Sequence, residues 1–493
     1  MAETLAGDQS NLPADTDTDR TPPNRSNPPN QGRRPWFGPL LRRLHFYAGL
    51  LVGPFILVAA TSGALYALTP ALEQVVYDHE LHAPVTDTRL SLAEQIVIAQ
   101  QEVGETGALI AVRPAPEPGD TTRVMFAQDG LGSSETRAIF VDPGTGEIRG
   151  DLVAYGSSGS LPLRTWISNL HRNLHLGDPG RLYSELAASW LGIVATAGLV
   201  LWIFRLRAAR RAAAVTGAVA RPKRRTGYRR VLSWHTTVGA VVVLAALFLS
   251  VTGITWSKYG GANFDGLRAA VGWTTPALDT SLTGEGGASD GGGHSHGAHG
   301  DDSGGPSGPA NPATFDAVLA IAQRINVDAA QIEITPPAEP GTAWVVKENK
   351  RSFPTAGDSV AIDGGTMQVT DRTDFAEFPL IAKLSSWGIA LHMGVMFGLA
   401  NQLVLFALAL GIGSMVVLGY LMWWKRRPTR EPRGLAGPPP ARGALRGAPW
   451  WGLAVVAVCA VAIGWFLPLV GYTLAAFVLV DVLIGVVRAR QRA

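Results

Sequence analysis

HFYAGLLVGPFILVAATSGALYAL (residues 45–68) lies over HTTVGAVVVLAALFLSVTGITWSK (residues 235–258) without a gap. Histidine falls on histidine, Gly49 on Gly239, Ser62 on Thr252 and Gly63 on Gly253. A second pair of stretches behaves alike: LHRNLHLGDPGRL from Leu170 sets His171 on His392 of LHMGVMFGLANQL, and Gly177 on Gly398. Self-similarity of this kind outranks any isolated motif as a guide to organisation. It predicts a core built twice, over roughly 40–210 and 228–430.

The paired stretches are apolar, and so is the chain. Charged residues are 16% against 47% hydrophobic, below the charge of an ordinary soluble protein. Crossing a hydrocarbon layer of about 30 Å takes roughly 20 apolar residues as helix. Such runs predict six transmembrane helices: four in the duplicated core (41–69, 181–205, 231–257 and 386–425) and a C-terminal hairpin (449–468 and 470–488). The first follows a polar tail over residues 1–40, whose Pro/Asn/Asp-rich composition reads as disordered and not as a cleaved signal peptide.

Lys and Arg set the orientation, because positive loops resist translocation. Segment 205–230 has ten basic and no acidic residues, and 425–446 has seven basic and one acidic. Both are assigned to the cytoplasm, with both termini. The loops at about 70–180 and 260–384 are then external. The net charge of +3 is the residue of this asymmetry and signals no nucleic-acid partner; the partner composition does imply is the lipid bilayer. The single cysteine, Cys459, excludes an intramolecular disulfide and any iron–sulfur or zinc site with several thiolates.

Each external loop predicts a small α+β module. The first, about 90–155, reads as a helix (SLAEQIVIAQQEV) followed by short strands and the turn DPGTGEI. The second, about 313–372, reads as TFDAVLAIAQRI followed by QIEITPP, AWVVKEN, DSVAIDG and MQVTDR. Between them, GEGGASDGGGHSHGAHGDDSGGPSGP (within 283–310) has the composition of a flexible linker.

Ten histidines carry the candidate chemistry. His294, His296 and His299 lie in the linker, either as weak metal scavengers or as part of a solvated spacer. His79 and His82 read as polar loop residues. The other five sit at the ends of apolar runs, where a polar group is costly and suggests function, although a single interfacial histidine is also explained by a local hydrogen bond. Pairing by depth favours function. His45 and His235 follow arginine pairs near the cytoplasmic face, and His171 and His392 stand near the external face. Two histidines at one depth on different helices are what bis-imidazole haem ligation requires. Gly63 lies eighteen residues beyond His45, close to five helical turns, so a straight helix aligns His45, Gly49 and Gly63 on one face, and likewise His235, Gly239 and Gly253. Glycines there admit either a flat macrocycle or a neighbouring helix. Zinc, the main chemical rival, needs three or four convergent ligands, and the core runs hold no acid beyond Glu185. His175, one turn after His171, is either a neighbour of the ligand or the ligand itself. Asp481 is a lone buried acid in the sixth run, suited to pair with an arginine or to relay protons.

These residues resemble those of PepSY-associated transmembrane helix proteins: LRRLHFYAGLLVGPFILVAATSGALYAL, NLHRNLHLGDPGRL, LHMGVMFGLANQ and two external modules with a DPGTGEI-type turn. The resemblance covers about 40–430. It implies a bacterial inner-membrane protein holding two b-type haems between four helices, with His45, His171, His235 and His392 at the ligand positions. It also implies an activity like that of ferrisiderophore reductases: single electrons drawn from a cytoplasmic or quinol donor and passed to ferric iron in an external siderophore. No flavin or nicotinamide motif is visible. Two other readings stay open: a PepSY module anchored in the membrane for regulation or peptidase binding, and a metal transporter using the histidine linker and Asp481.

Overall fold

The computed structural model describes residues 36–216, 227–282, 310–426 and 439–491. The tail, the linker with His294, His296 and His299, and parts of both basic loops lie outside the described residues.

The first apolar run is two helices, α1 (Phe37–Leu51) and α2 (Gly53–Ala67), bent by 61° where they meet. The cause is local. Pro54 in the first turn of α2 has no N–H for the carbonyl of Leu50, four residues back. Tyr420 donates its hydroxyl to that oxygen at 2.6 Å, satisfying a backbone group that lipid would leave bare. The straight face expected from His45 through Gly49 to Gly63 is therefore broken, because Gly63 stands on the second of the two helices.

Short helices α3 (Thr69–Val76) and α4 (Asp78–Leu81) lead out of the bundle to α5 (Leu92–Val103) and a meander of β1 (Gly107–Arg113), β2 (Thr122–Gln128), β3 (Glu135–Val141) and β4 (Ile148–Tyr155). The chain returns through α6 (Pro162–Asn173) into α7 (Asp178–Thr216). Next, α8 (Gly227–Thr255) runs unbroken: Val243 and Leu244 stand where the first run has Gly53 and Pro54. A helix the sequence reading did not anticipate, α9 (Tyr259–Val271), follows at once. Its first N–H groups, from Tyr259 and Gly260, donate to the buried carboxylate of Glu185 at 2.9 and 3.0 Å. That is where an anion best offsets a helix N-terminus.

The second external stretch gives α10 (Ala313–Arg324), β5 (Ile332–Thr335), β6 (Trp344–Glu348), β7 (Ser359–Ile362) and β8 (Val369–Thr373), then α11 (Leu380–His392) and α12 (Gly398–Lys425). The C-terminal hairpin is α13 (Trp450–Phe466) and α14 (Pro468–Arg490). Among the described residues, α7, α8, α12 and α14 are each long and apolar enough to cross a membrane. The bent α1–α2 pair makes a fifth if it counts as one span, and α13 is a shorter apolar helix of 17 residues.

In the bundle α2 packs on α12, α7 on α8, α8 on α12 and α1 on α7. Small residues fill the seams, among them Ala48, Ala60, Ala187 and Ala246, as expected where close backbone approach drives association. Large side chains such as Val241, Leu244, Val458 and Trp465 are left exposed on the outside, the inverse of a water-soluble surface.

The two expected α+β modules do not stand apart. They join through β1 and β5, where Val112 pairs with Ile334, into one eight-stranded antiparallel sheet ordered β4-β3-β2-β1-β5-β6-β7-β8. One core serves both halves, with Ile96, Phe126 and Ile139 from the first and Phe315, Ile334 and Val346 from the second. Asp316 at the start of α10 accepts from the N–H groups of Leu92 and Ala93, both at 2.9 Å, and so caps α5 from the other half. Both halves use the same turn chemistry. Thr145 and Thr366 each donate to the aspartate three residues back, Asp142 and Asp363, at 2.7 Å, as short polar side chains do in tight turns.

Candidate functional site

At the end of the bundle where α7 finishes and α8 begins, His45 of α1 faces His235 of α8, ring centroids 6.2 Å apart and planes at 77°. A metal between two imidazole nitrogens at about 2 Å each sets the ring centroids roughly 6 Å apart. His45 Nδ1 lies 3.0 Å from the carbonyl of Val194. A carbonyl only accepts, so Nδ1 holds the proton and Nε2 keeps a free lone pair. His235 Nδ1 is buried without a hydrogen-bond partner of ordinary geometry.

Both rings line a cavity of about 940 Å³ whose walls are mostly apolar, within the range of about 300–1,000 Å³ usual for cofactor sites. Gly49, Gly53, Gly198 and Gly239 contribute to the wall, and its charged residues are Arg42, Arg205 and Arg426. A Cβ at Gly198 would stand 3.0 Å from His45 Cε1; the sequence reading missed this glycine because it lies on α7, away from every histidine in the chain. A Cβ at Gly239 would meet the Met415 methyl at 2.8 Å, while one at Gly49 would meet nothing within 4 Å.

At the other end stand His171 of α6 and His392 of α11, whose neighbours Ile167, Tyr66, Trp256 and Met393 pack in one apolar cluster. They do not open the long helices as expected. Each stands in the last turn of a short helix, α6 or α11, with a break before the span begins. His171 Nδ1 is 3.0 Å from Ser62 Oγ and His392 Nδ1 is 2.6 Å from Thr252 Oγ1. Both hydroxyls also bond carbonyls one turn back, Val58 and Phe248, at 2.9 Å. With its one proton given there, each hydroxyl accepts from the imidazole, again leaving Nε2 free. Tyr66 stacks on His171 and Trp256 meets His392 edge-on, at 6.2 and 5.2 Å between centroids. A Cβ at Gly63 would come within 3.0 Å of His171 Cε1, whereas one at Gly253 would meet Ala188 instead.

His175 does not share a helix face with His171. The helix stops at Asn173, Leu174 and His175 adopt left-handed backbone (φ 53° and 56°), and the exposed imidazole rests on Trp166 at 4.9 Å. The polar side chain at Asn173 explains the stop, since its Oδ1 accepts from His175 N–H. Asp481 is one-third exposed, not buried, and takes the arginine alternative, pairing with Arg43 and, at 3.3 Å, with Arg442. His79 bonds the carbonyl of Arg149 and His82 the carboxylate of Asp120. Among the described residues no three or more His, Cys, Asp or Glu side chains gather as metal ligands, which is the arrangement zinc requires.

Fold and side chains together define a polytopic helical membrane protein with an antiparallel sheet domain at one end of its bundle and paired histidines at both. The model of the PepSY-associated TM region matches residues 42–426, and the chain belongs to that family. No curated protein matches it.

Proposed function

We propose that the chain is a b-type dihaem electron-transfer protein of a bacterial cytoplasmic membrane, with an internally duplicated four-helix core. His45 and His235 hold one haem, and His171 and His392 the other. The carrying observation is that four histidines from different helices stand two at each end of the bundle, His45 facing His235 and His171 and His392 flanking one apolar cluster, three with Nδ1 engaged and Nε2 free. His235 and Thr252, one at each pair, are seventeen residues apart on the continuous α8, roughly 25 Å at 1.5 Å per residue. That is close to the hydrocarbon thickness.

The residues fit the group. Nδ1–H bonds to Val194, Ser62 and Thr252 fix ring orientation and raise ligand basicity. The glycine-lined, apolar cavity at His45 and His235 suits a flat macrocycle in size and lining, and Arg42, Arg205 and Arg426 suit its carboxylates. Haem supplies one-electron redox chemistry when bound; the chain supplies ligation, spacing and polarity. By the family resemblance the donor is cytoplasmic or a quinol, and the acceptor is external ferric iron in a siderophore. The charge bias of the basic segments supports a cytoplasmic place for both termini and an external one for the sheet domain.

A visible spectrum of the purified protein, oxidised and then dithionite-reduced, tests this. A Soret band and a b-type α band are expected. Their absence after expression with ample haem would sink the reading and leave a sheet domain anchored for regulation or peptidase binding.

A further inference from the structure

A cavity of about 540 Å³ lies at the joint between the sheet domain and the bundle. Five cations line it: Arg113 of β1, Arg123 of β2, Arg164 of α6, and Lys350 and Arg351 between β6 and β7. Three carboxylates also line it: Glu117, Asp120, which is engaged by His82 and the Glu117 N–H, and the buried Glu73, which is already committed. Its oxygens accept from Leu161 N–H at 2.7 Å and from Arg164 Nη1 at 3.2 Å. Arg113 pairs with Glu333. Among the described residues, no carboxylate lies within ion-pair distance of Arg123, Lys350 or Arg351. Arg123 reaches only the Gly159 carbonyl and the Phe140 ring, and Arg351 the Ser157 hydroxyl and the Met393 sulfur.

Arg164 supplies the second observation. It is 7% exposed, and its Nε and Nη2 make no hydrogen bond of ordinary geometry, although the Tyr66 phenol interacts with the guanidinium. A buried guanidinium with open donors is costly unless an anion completes it, and its planar fork matches an oxyanion pair. The cavity is far larger than an inorganic ion and falls within the range of small organic ligands. Apolar surface from Leu81 and Met393 adds to its wall.

We infer that this cavity is a binding site for an organic anion carrying two or more carboxylates, held by Arg123, Arg164, Lys350 and Arg351. Burial and the Arg113 charge pull Arg123 below the ordinary guanidinium range, and burial with Arg113 and Arg164 does the same to Arg351. Both stay charged at neutral pH, so the pocket presents positive charge in excess. Two sources supply the same chemistry. One is a soluble polycarboxylate; the other is the carboxylate edge of a macrocycle at His171 and His392. The second rests on the proposed function and is favoured by position, since Met393 follows His392 and Arg164 lies over Tyr66, whose ring stacks on His171. The first stands on the cavity alone.

The test uses the full chain in detergent, titrated calorimetrically with citrate, and compares Arg351→Gln and the double variant Lys350→Gln/Arg351→Gln with the charge control Arg324→Gln on α10. Arg164→Gln is set aside because it breaks a buried pair. Citrate binding that weakens at least tenfold in the double variant, and not in the control, establishes the soluble source. No citrate binding, but a lowered haem content or a shifted midpoint potential in the double variant alone, establishes the macrocycle source. Citrate binding unaffected by the double variant, or a null result on both readouts, overturns the site. The last outcome would leave a positive spectrum, and with it the proposed function, untouched.

Discussion

Glu73 and Arg164 show how much one pair can decide. Both side chains are about one-tenth exposed or less, and breaking a buried pair from one side costs about 3–5 kcal/mol because the other charge is left behind. Glu73→Ala should therefore lower stability by that order in chemical denaturation, and the double variant Glu73→Gln/Arg164→Met by less than the two single changes added. Burial raises the Glu73 pKa, more than Arg164 lowers it. The folded state then binds its proton more tightly than the unfolded chain, so this group's contribution is full below the ordinary carboxylate range and is lost as pH rises through its folded value. The melting-temperature advantage of the native protein over Glu73→Gln should shrink as pH rises from about 4.5, the ordinary value for Glu, and an advantage that grew with pH would contradict the assignment. Tyr420 poses a simpler question. Without its hydroxyl, Leu50 O has no donor, and Tyr420→Phe should cost about 1–3 kcal/mol by thermal unfolding in detergent. An unchanged midpoint would mean that another donor fills the gap.

At the scale of elements, the α5 cap is the clearest case. Asp316→Ala removes a carboxylate that bonds two α5 N–H groups from across the sheet. The expected cost is about 0.5–2 kcal/mol, with faster amide exchange at Leu92 and Ala93. Protection unchanged there would show that the cap is decorative. Of the six expected spans the structure gives four as single long apolar helices, while the first is a bent pair and α13 is shorter; periodicity and run length, read over many residues, carried those four. The sequence also carried the bend, in Gly53–Pro54, although matching two apolar runs by their histidines drew attention away from it. Helix α9 was hidden because its cap, Glu185, is seventy-four residues away. The end of α6 was hidden because a left-handed residue at His175 carries no glycine to announce it, so the i, i+4 spacing of His171 and His175 does not put them on one helix face. The joining of the two modules was illegible for another reason. The β1–β5 contact is made by strand edges, and backbone hydrogen bonds leave little side-chain pattern.

For the whole molecule, the same sequence spacing that sets His171 over His392 also sets Asp142 over Asp363 and Val194 over Met415. Val194 is the residue whose carbonyl orients His45, and Ser62 over Thr252 supplies the hydroxyls at the other pair. Those partners were visible as matched letters, but their roles needed the geometry. The C-terminal hairpin is tied on by Asp481 with Arg43 and Arg442 and by Trp190 with Thr473, so Arg43, two residues from His45, is held by an element outside the paired core. The central claim is that each pair of histidines holds one haem. It is tested most directly by haem stoichiometry per chain, measured as the pyridine haemochromogen in the native protein and in His45→Ala and His392→Ala. The account predicts two haems in the native protein, about one in each single variant and none in the double. Full haem content in either single variant, or a native chain that binds none, would contradict it.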